Sequence, residues 1–393
     1  MTSPPEVFFV TGEASGDRHA APVVSELLSR GVRVTGIGGP RMAAAGAQLL
    51  KDTTDWGAMG VPESARRYPV LWAQSKWLLG VLRKRQPRLI VLVDFGFFNF
   101  TFARHIKRLG LGRVLYYFPP GSWRQEPRDW SRLASVTDCI ATPFARNAEF
   151  LQASGANAHW VGHPAVDSLA PAADRVALRR ELGLPAGDPL VGILPGSRAM
   201  ERRALGEQML GAAELIRREL PGARFLWSAY PRLGRLEARL RRRVDVLSFV
   251  TPVAESHDIL RAADLVLVAM GTATLEAAAA LTPMVCCYDG PYLGKWIAGH
   301  VLKQGQPIYA MPNILLGREA VPEIVPHNPR DGVTAAKLAE AALGLLKHPE
   351  RMAEAKRDLA EVRQMLGPPG VAGRVADLIT EMLSAASEPD TKL

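Results

Sequence analysis

The chain alternates short apolar runs with longer amphipathic stretches. Glu6–Val10, Val32–Ile37, Arg88–Val93, Arg113–Phe118 and Thr137–Ala141 are brief runs rich in apolar and β-branched residues, a length and a chemistry that predict buried strands. Between several of them, stretches such as His19–Arg30 and Thr101–Leu109 carry apolar residues at helical spacing. Strand and helix in alternation predict a parallel sheet with helices on both faces. The Pro- and Ala-rich passage Pro164–Pro189 interrupts this pattern. Leu190–Leu194 then restarts it with a strand, a Gly-containing turn (Pro195–Arg198) and a long helix, and it continues through Ala223–Ser228, Val244–Phe249, Leu265–Ala269 and Met284–Tyr288. After Gly332 the chain reads as mostly helical, and Gly367–Pro368–Pro369–Gly370 sets off a last helix, Val371–Ala385. The expected fold class is α/β, with two doubly wound, Rossmann-like domains over residues 1–165 and 166–366. Residues 367–393 form a helix and tail, with packing onto the first domain an open option. Ligands of such sheets sit at the carboxyl ends of the strands. Two of them facing across a cleft would suit a two-substrate enzyme.

Length and composition agree with this picture. A chain of 393 residues exceeds what one core usually fills, and 48% apolar with 22% charged residues is ordinary globular composition. Cys139, Cys286 and Cys287 show no C-x-x-C spacing, which reads as buried free thiols in a reducing compartment. No apolar run reaches the ~18–20 residues that a membrane span needs, and no basic segment precedes the first apolar run. The expectation is a cytoplasmic, non-spanning protein. Charge is uneven: residues 1–165 hold 20 Lys and Arg against 12 Asp and Glu, of a total net charge of +9. A basic first domain suits nucleic acid, acidic phospholipid or a phosphorylated substrate.

Four turns carry candidate chemistry. Gly12-Glu13-Ala14-Ser15-Gly16-Asp17 follows the first strand, so its N–H groups and the next helix's N-terminus could hold a phosphate or hydroxyl-rich ligand. Asp94 closes the strand Leu89–Val93 among aromatics, where poor solvation would raise its pKa and fit it as a general base; Asp is also a common loop starter. In Gly196-Ser197-Arg198, Arg198 would neutralise a leaving diphosphate or merely pair at the surface. Gly271-Thr272-Ala273 supplies N–H groups for phosphate. Glu276 could accept from ribose hydroxyls or complete a capping box with Thr272 or Thr274. Metal-ligand spacing is thin, with no D-x-D and His159 and His163 ~13 Å apart along an extended segment. Transfer without a metal is the expectation. Arg66–Arg85, with Tyr68, Trp72 and Trp77 bracketed by cations, reads either as a helix lying in a membrane interface or as one packed on the sheet. No recognised nucleic-acid module accompanies the charge.

Taken in order, GEASGD at 12–17, GGPRM at 38–42, AMGVPE at 58–63, VGHPAVDS at 161–168, LPGSR at 194–198, GTATLE at 271–276 and PNILLGREAVPE at 312–323 resemble the lipid A disaccharide synthases. These are bacterial inverting glycosyltransferases of the GT-B fold. The resemblance implies transfer of 2,3-diacylglucosamine from its UDP derivative to 2,3-diacylglucosamine 1-phosphate. The UDP-sugar is a co-substrate, without cofactor or metal, and the protein contacts the inner face of the cytoplasmic membrane. It implies that Asp94 is the essential carboxylate, that Glu13 and Ser15 line the reaction centre, and that Arg198, Glu276 and Asn313 contact the donor. Gly196, Ser197, Gly271, Thr272 and Ala273 would share the donor side; Gly12, Gly16, Asp17, Trp72 and Trp77 would serve acceptor or membrane. An oligomer is compatible with the pattern and nucleic acid is not expected. The chain departs from the family at Phe97, where an Asp is usual, at Ala145 for Glu, at Met270 for Ser, and in a reduced aromatic stretch, Pro119-Pro120-Gly121-Ser122-Trp123-Arg124. Two alternatives therefore stay open: a related UDP-GlcNAc transferase or epimerase with another acceptor, and a nucleotide-sugar-binding protein without activity.

Overall fold

A computed structural model describes residues 5–54, 56, 61–125, 129–170, 175–184, 187–229, 235–289, 308–326 and 332–385, without the side chains of 61–69, Phe97 and 235–237. Two compact units emerge: residues 1–164 with 367–393, and residues 165–366. The first is built on a seven-stranded sheet of β1 (Glu6–Val10), β2 (Arg33–Gly38), β3 (Gln48–Asp52), β4 (Leu89–Val93), β5 (Arg113–Tyr117), β6 (Cys139–Thr142) and β7 (Ala158–Trp160). All its pairings are parallel, in the order β3-β2-β1-β4-β5-β6-β7. The second holds β8 (Leu190–Leu194), β9 (Arg224–Ser228), β10 (Val250–Val253), β11 (Leu265–Ala269), β12 (Met284–Cys287) and β13 (Glu323–Ile324), again all parallel, in the order β10-β9-β8-β11-β12-β13. The expected doubly wound α/β class is therefore the observed one.

Central strands are buried along their whole length. All five residues of β4, β8 and β11 are buried, as continuous apolar runs covered on both faces should be. Each fully buried Val, Leu or Ile there contributes about 1.5–3 kcal/mol, which fixes the strand ends from which the candidate turns project. Phe8, Phe102, Ile106, Leu78 and Leu82 fill the first core, and Leu205, Met209, Phe225, Leu267 and Leu338 the second.

One strand was misplaced by sequence. Val244–Phe249 is not extended: Arg235–Val246 is a helix and the strand begins at Val250. Leu240 and Val244, one turn apart, face the core, whereas Val246 is 77% exposed, so the apolar residues follow a helical period rather than a two-residue one. The strands β3 and β13 were not anticipated, and the extended segment expected at His159–His163 is the short strand β7, Ala158–Trp160. The last helix, Val371–Ala385, packs on the helix Ala14–Ser29 of the first unit. It is fastened by Arg30 to Asp377 at 2.7 Å, by Arg113 Nη1 donating to the Met382 carbonyl at 2.8 Å, and by Arg374 Nε donating to the Val161 carbonyl at 2.9 Å.

Candidate active site

Strand order reverses once in each sheet, between β1 and β4 and between β8 and β11. At such a switch point the flanking β–α connections diverge and leave a crevice for ligand. The turns singled out in the sequence follow these four strands. In the first unit, Glu13 and Ser15 come from the turn after β1 and Asp94 from the turn after β4; Ser15 Oγ donates to Asp94 Oδ2 at 2.9 Å. The helices beginning at Ala14 and Gly96 start beside this pair, and their N-terminal dipole ends favour negative charge there. Gly16 lies where the first helix passes over β4, with the Val93 carbonyl 3.4 Å from where a Cβ would stand.

The Asp94 turn is unusual in its backbone. Asp94 and Phe95 both adopt left-handed conformations, with φ of 50° and 53°, which for a residue such as Phe costs about 1–2 kcal/mol. The surrounding bonds hold it in place. The Asp94 N–H donates to the Tyr117 carbonyl at 3.0 Å, and the Asp94 carbonyl accepts from Asn99 Nδ2 at 2.9 Å and from the Tyr116 hydroxyl at 3.0 Å. Burial, with the neighbouring Asp94 charge, pushes the Tyr116 hydroxyl well above its ordinary range, so it remains a proton donor to that carbonyl. The Phe95 ring lies so close to Gly12 that a Cβ there would fall 2.3 Å from it; Gly12 is glycine because that ring needs the space.

Asp17 has a different task. It is buried, and its carboxylate accepts from the backbone N–H groups of Gly39, Arg41 and Met42 at 2.9–3.0 Å. It thereby caps the short helix Pro40–Ala44.

In the second unit, Gly196 adopts φ of +106° and a Cβ there would fall 2.3 Å from the Glu201 carboxylate, so the turn after β8 requires glycine. Glu201 accepts from the Arg198 N–H and from Arg198 Nη1, both at 3.1 Å. Arg202 Nη1 donates to the Ser197 carbonyl at 2.5 Å. The Arg198 side chain is 39% exposed, at the mouth of the turn. After β11, Gly271 precedes a helix that begins at Thr272 and continues through Ala273, and Thr274 Oγ donates to the Gly271 carbonyl at 2.7 Å. Glu276 lies beyond the third helical position, so the capping box suggested by the sequence does not form with it. Its buried carboxylate has His257 Nε2 at 3.8 Å.

Asn313 is buried and fully occupied. Its Nδ2 donates to the Val321 carbonyl at 2.8 Å and to Glu323 Oε1 at 2.6 Å, while its Oδ1 accepts from the Ala320 and Val321 N–H groups at 2.7 and 2.9 Å. An amide side chain has no more than about four such bonds to offer. Asn313 therefore ties Val321 and Glu323 to the helix Met311–Leu316.

Trp72 and Trp77 lie on the helix Val61–Arg85 and are 53% and 42% exposed. Lys76 sits 3.6 Å over the Trp72 ring. At ~100° per residue, the exposed Val70, Trp72, Ala73, Lys76 and Trp77 share one arc of about 160°, opposite the buried Leu78 and Leu82. The side chains of Arg66, Arg67, Tyr68 and Phe97, and residues 58–60 of the AMGVPE motif, lie outside the described residues.

Sequence reasoning missed Tyr116, and also a ring cluster in which His19 stacks on Phe118 at 4.4 Å and His163 meets both edge-on. Tyr116 and Phe118 follow one another closely at the end of β5, a strand adjacent to β4; that adjacency was the available signal. Among the described residues no His, Cys, Asp and Glu group could hold a metal ion, and no helix is long and apolar enough to cross a membrane.

The sequence profile described as lipid-A-disaccharide synthetase matches residues 7–367. The lipid-A-disaccharide synthase of Myxococcus xanthus is 33% identical over 388 residues, covering 98% of this chain and 99% of that protein. That of Anaeromyxobacter dehalogenans strain 2CP-1 is 35% identical, with 95% and 96% covered. Among solved structures, the Neisseria meningitidis UDP-GlcNAc 2-epimerase bound to UDP-GlcNAc superposes with a TM-score of 0.61 at 11% identity, covering 97% of this chain and all of that one. The calicheamicin glycosyltransferase CalG4 gives 0.60 at 16%, with 98% and 100% covered. At such identities the structural likeness speaks for the fold alone, whereas the profile and the close relatives speak for descent. The chain belongs to the lipid-A-disaccharide synthetase family.

Proposed function

We propose that the chain transfers 2,3-diacylglucosamine, with inversion, from its UDP derivative to 2,3-diacylglucosamine 1-phosphate, giving the disaccharide phosphate and UDP. The observation that carries this reading is the Ser15–Asp94 hydrogen bond at the switch point of the first sheet. It orients a half-buried carboxylate at the place where the fold admits ligand. Asp94 takes the proton from the acceptor hydroxyl as that oxygen attacks the anomeric carbon. The N–H groups of the turns at Gly196–Arg198 and Gly271–Ala273 bind the UDP diphosphate. Arg198 turns from Glu201 to the charge that builds on the departing UDP, and no metal is required. Glu276 receives the ribose hydroxyls, and Glu13 borders the reacting sugars.

An acylated acceptor resides in a membrane. The exposed Trp72–Lys76–Trp77 arc supports peripheral attachment to the inner face of the cytoplasmic membrane, since indole rings flanked by cations favour the interface. A UDP-GlcNAc transferase or epimerase with another acceptor is not favoured: the epimerase structure resembles this chain in fold alone, whereas the family match spans nearly the whole sequence. Asp94→Asn tests the mechanism. It should lower turnover at least ~10³-fold, by removing general-base catalysis and its charge, while calorimetry shows wild-type UDP affinity. Retained turnover removes Asp94 from the reaction.

A further inference from the structure

A cavity of about 400 Å³ opens in the first unit beyond β5. Phe100, Pro120, Trp123, Arg124, Trp130 and Arg132 line it, together with Asp129. Its volume lies within the ~300–1,000 Å³ of small-molecule sites. The cavity is directly coupled to the Asp94 turn. A Cβ on Gly96 would stand 2.9 Å from Pro120 in the cavity wall, and the Tyr116 hydroxyl donates to the carbonyls of both Asp94 and Gly96.

The lining joins aromatic walls to cations. The Arg124 guanidinium lies 5.0 Å from the centre of the Trp123 ring, and among the described residues no carboxylate pairs with it. Asp129 does not neutralise the site in full. Its carboxylate accepts from the Ser131 N–H at 2.8 Å, and that backbone bond is the main reason its carboxyl is held below the usual range. Among the described residues that line the cavity, one carboxylate, committed to the start of the helix Ser131–Ala134, stands with two guanidinium groups. A cavity of this kind selects an anion carried on a partly apolar molecule. The donor's diphosphate is assigned above to the second unit. Of the two substrates, the acceptor brings the remaining anion, a phosphate monoester on an acylated sugar.

We propose that this cavity receives the phosphate of the acceptor, with Arg124 as its ion-pair partner and Trp123 and Trp130 as its walls, and so sets the acceptor hydroxyl against Asp94. Arg124 is then the residue that makes the enzyme require a phosphorylated acceptor. The inference rests on the reaction proposed above, and the test separates the two.

The test compares 2,3-diacylglucosamine 1-phosphate with the methyl glycoside of the same sugar, using kcat/KM for each in wild type, Arg124→Gln and Arg124→Lys. The ratio of the two values cancels any loss of active protein. Wild type should prefer the phosphate roughly 10- to 100-fold, the factor carried by a hydrogen bond between ions. Arg124→Gln should bring that ratio close to one with the donor KM unchanged. Arg124→Lys should retain part of it, because an ammonium keeps the charge but not the bidentate fork; this variant carries the test if the Gln protein does not fold. A wild-type ratio in both variants overturns the assignment, as does wild-type enzyme that turns over both acceptors equally. Wild-type enzyme that makes no disaccharide from either acceptor contradicts the proposed reaction instead.

Discussion

Gly12 offers the sharpest test of how the Asp94 turn is held. In Gly12→Ala the new methyl would lie 2.3 Å from Cδ1 and Cε1 of Phe95 and 2.7 Å from its Cγ, well inside contact distance, so the ring has to move. It has little room. Phe95 stacks on Phe98 at 4.8 Å, Phe98 stacks on Phe102 at 5.5 Å and meets Trp56 edge-on at 6.1 Å, and Phe95 itself sits at φ 53°. Inserting one methyl into such packing costs about 1–3 kcal/mol. With ~2–4 °C per kcal/mol for a unit of this size, the expected fall in Tm is about 2–12 °C. Phe95 adjoins Asp94 in the chain, so the displacement passes to the carboxylate, and a misplacement of ~1 Å costs on the order of 10²-fold in rate. Scanning calorimetry and kcat with saturating substrates read the two effects, and UDP affinity should not change. A double-mutant cycle isolates the cause: against Phe95→Ala, which removes the ring, the added Gly12→Ala should cost little further in stability or rate. Wild-type kcat and Tm in the single variant would refute the account of the turn.

Other outcomes follow from the same structure. Asn313→Ala strands the backbone groups that its amide satisfies and should destabilise the second unit by about 2–4 kcal/mol; a donor-KM defect without loss of Tm, measured by calorimetry and steady-state kinetics, contradicts its structural task. Burial pushes the Cys139 thiol from 9.0 up to about 12 and raises Cys286 and Cys287 too. All three should resist a disulfide reagent at neutral pH until denaturant is added. Since the folded Cys139 holds its proton where the unfolded thiol has lost it, its contribution to stability is complete below pH 9 and is lost as pH rises toward about 12, which urea titrations across that window can follow. Replacing Trp72 and Trp77 together by Ala should reduce co-sedimentation with anionic phospholipid vesicles while leaving Tm near wild type; undiminished binding removes that arc from the membrane contact.

The elements legible in the sequence were those whose burial is complete. The strands β1, β8 and β11 were placed to the residue, because covered parallel strands read as nearly unbroken apolar runs, here bounded by Pro, Asp or a Gly-containing turn. The error at Val244–Phe249 arose where an arginine-rich helix hands over to a strand within four residues and the apolar spacing serves both. β3 escaped notice because it is largely exposed, so its composition lacks a strand's signature. Candidate site residues after β1, β4, β8 and β11 were readable as turns, but their juxtaposition depends on strand order, which no local pattern encodes. Asp17 and Asn313 show the complementary difficulty. A polar residue in a motif reads as a ligand contact, and the partners that both have within the fold do not show in the sequence. The cavity at Trp123 and Arg124 joins side chains from residue 100 to residue 133. Only the short aromatic stretch at 119–124 signalled it beforehand.

The central claim is best tested by product analysis. Purified protein in detergent is given UDP-2,3-diacylglucosamine and 2,3-diacylglucosamine 1-phosphate, and the mixture is examined by mass spectrometry. The account predicts the disaccharide phosphate and UDP in equal amounts from wild type and neither from Asp94→Asn. UDP binding without product, or product undiminished in Asp94→Asn, would contradict it.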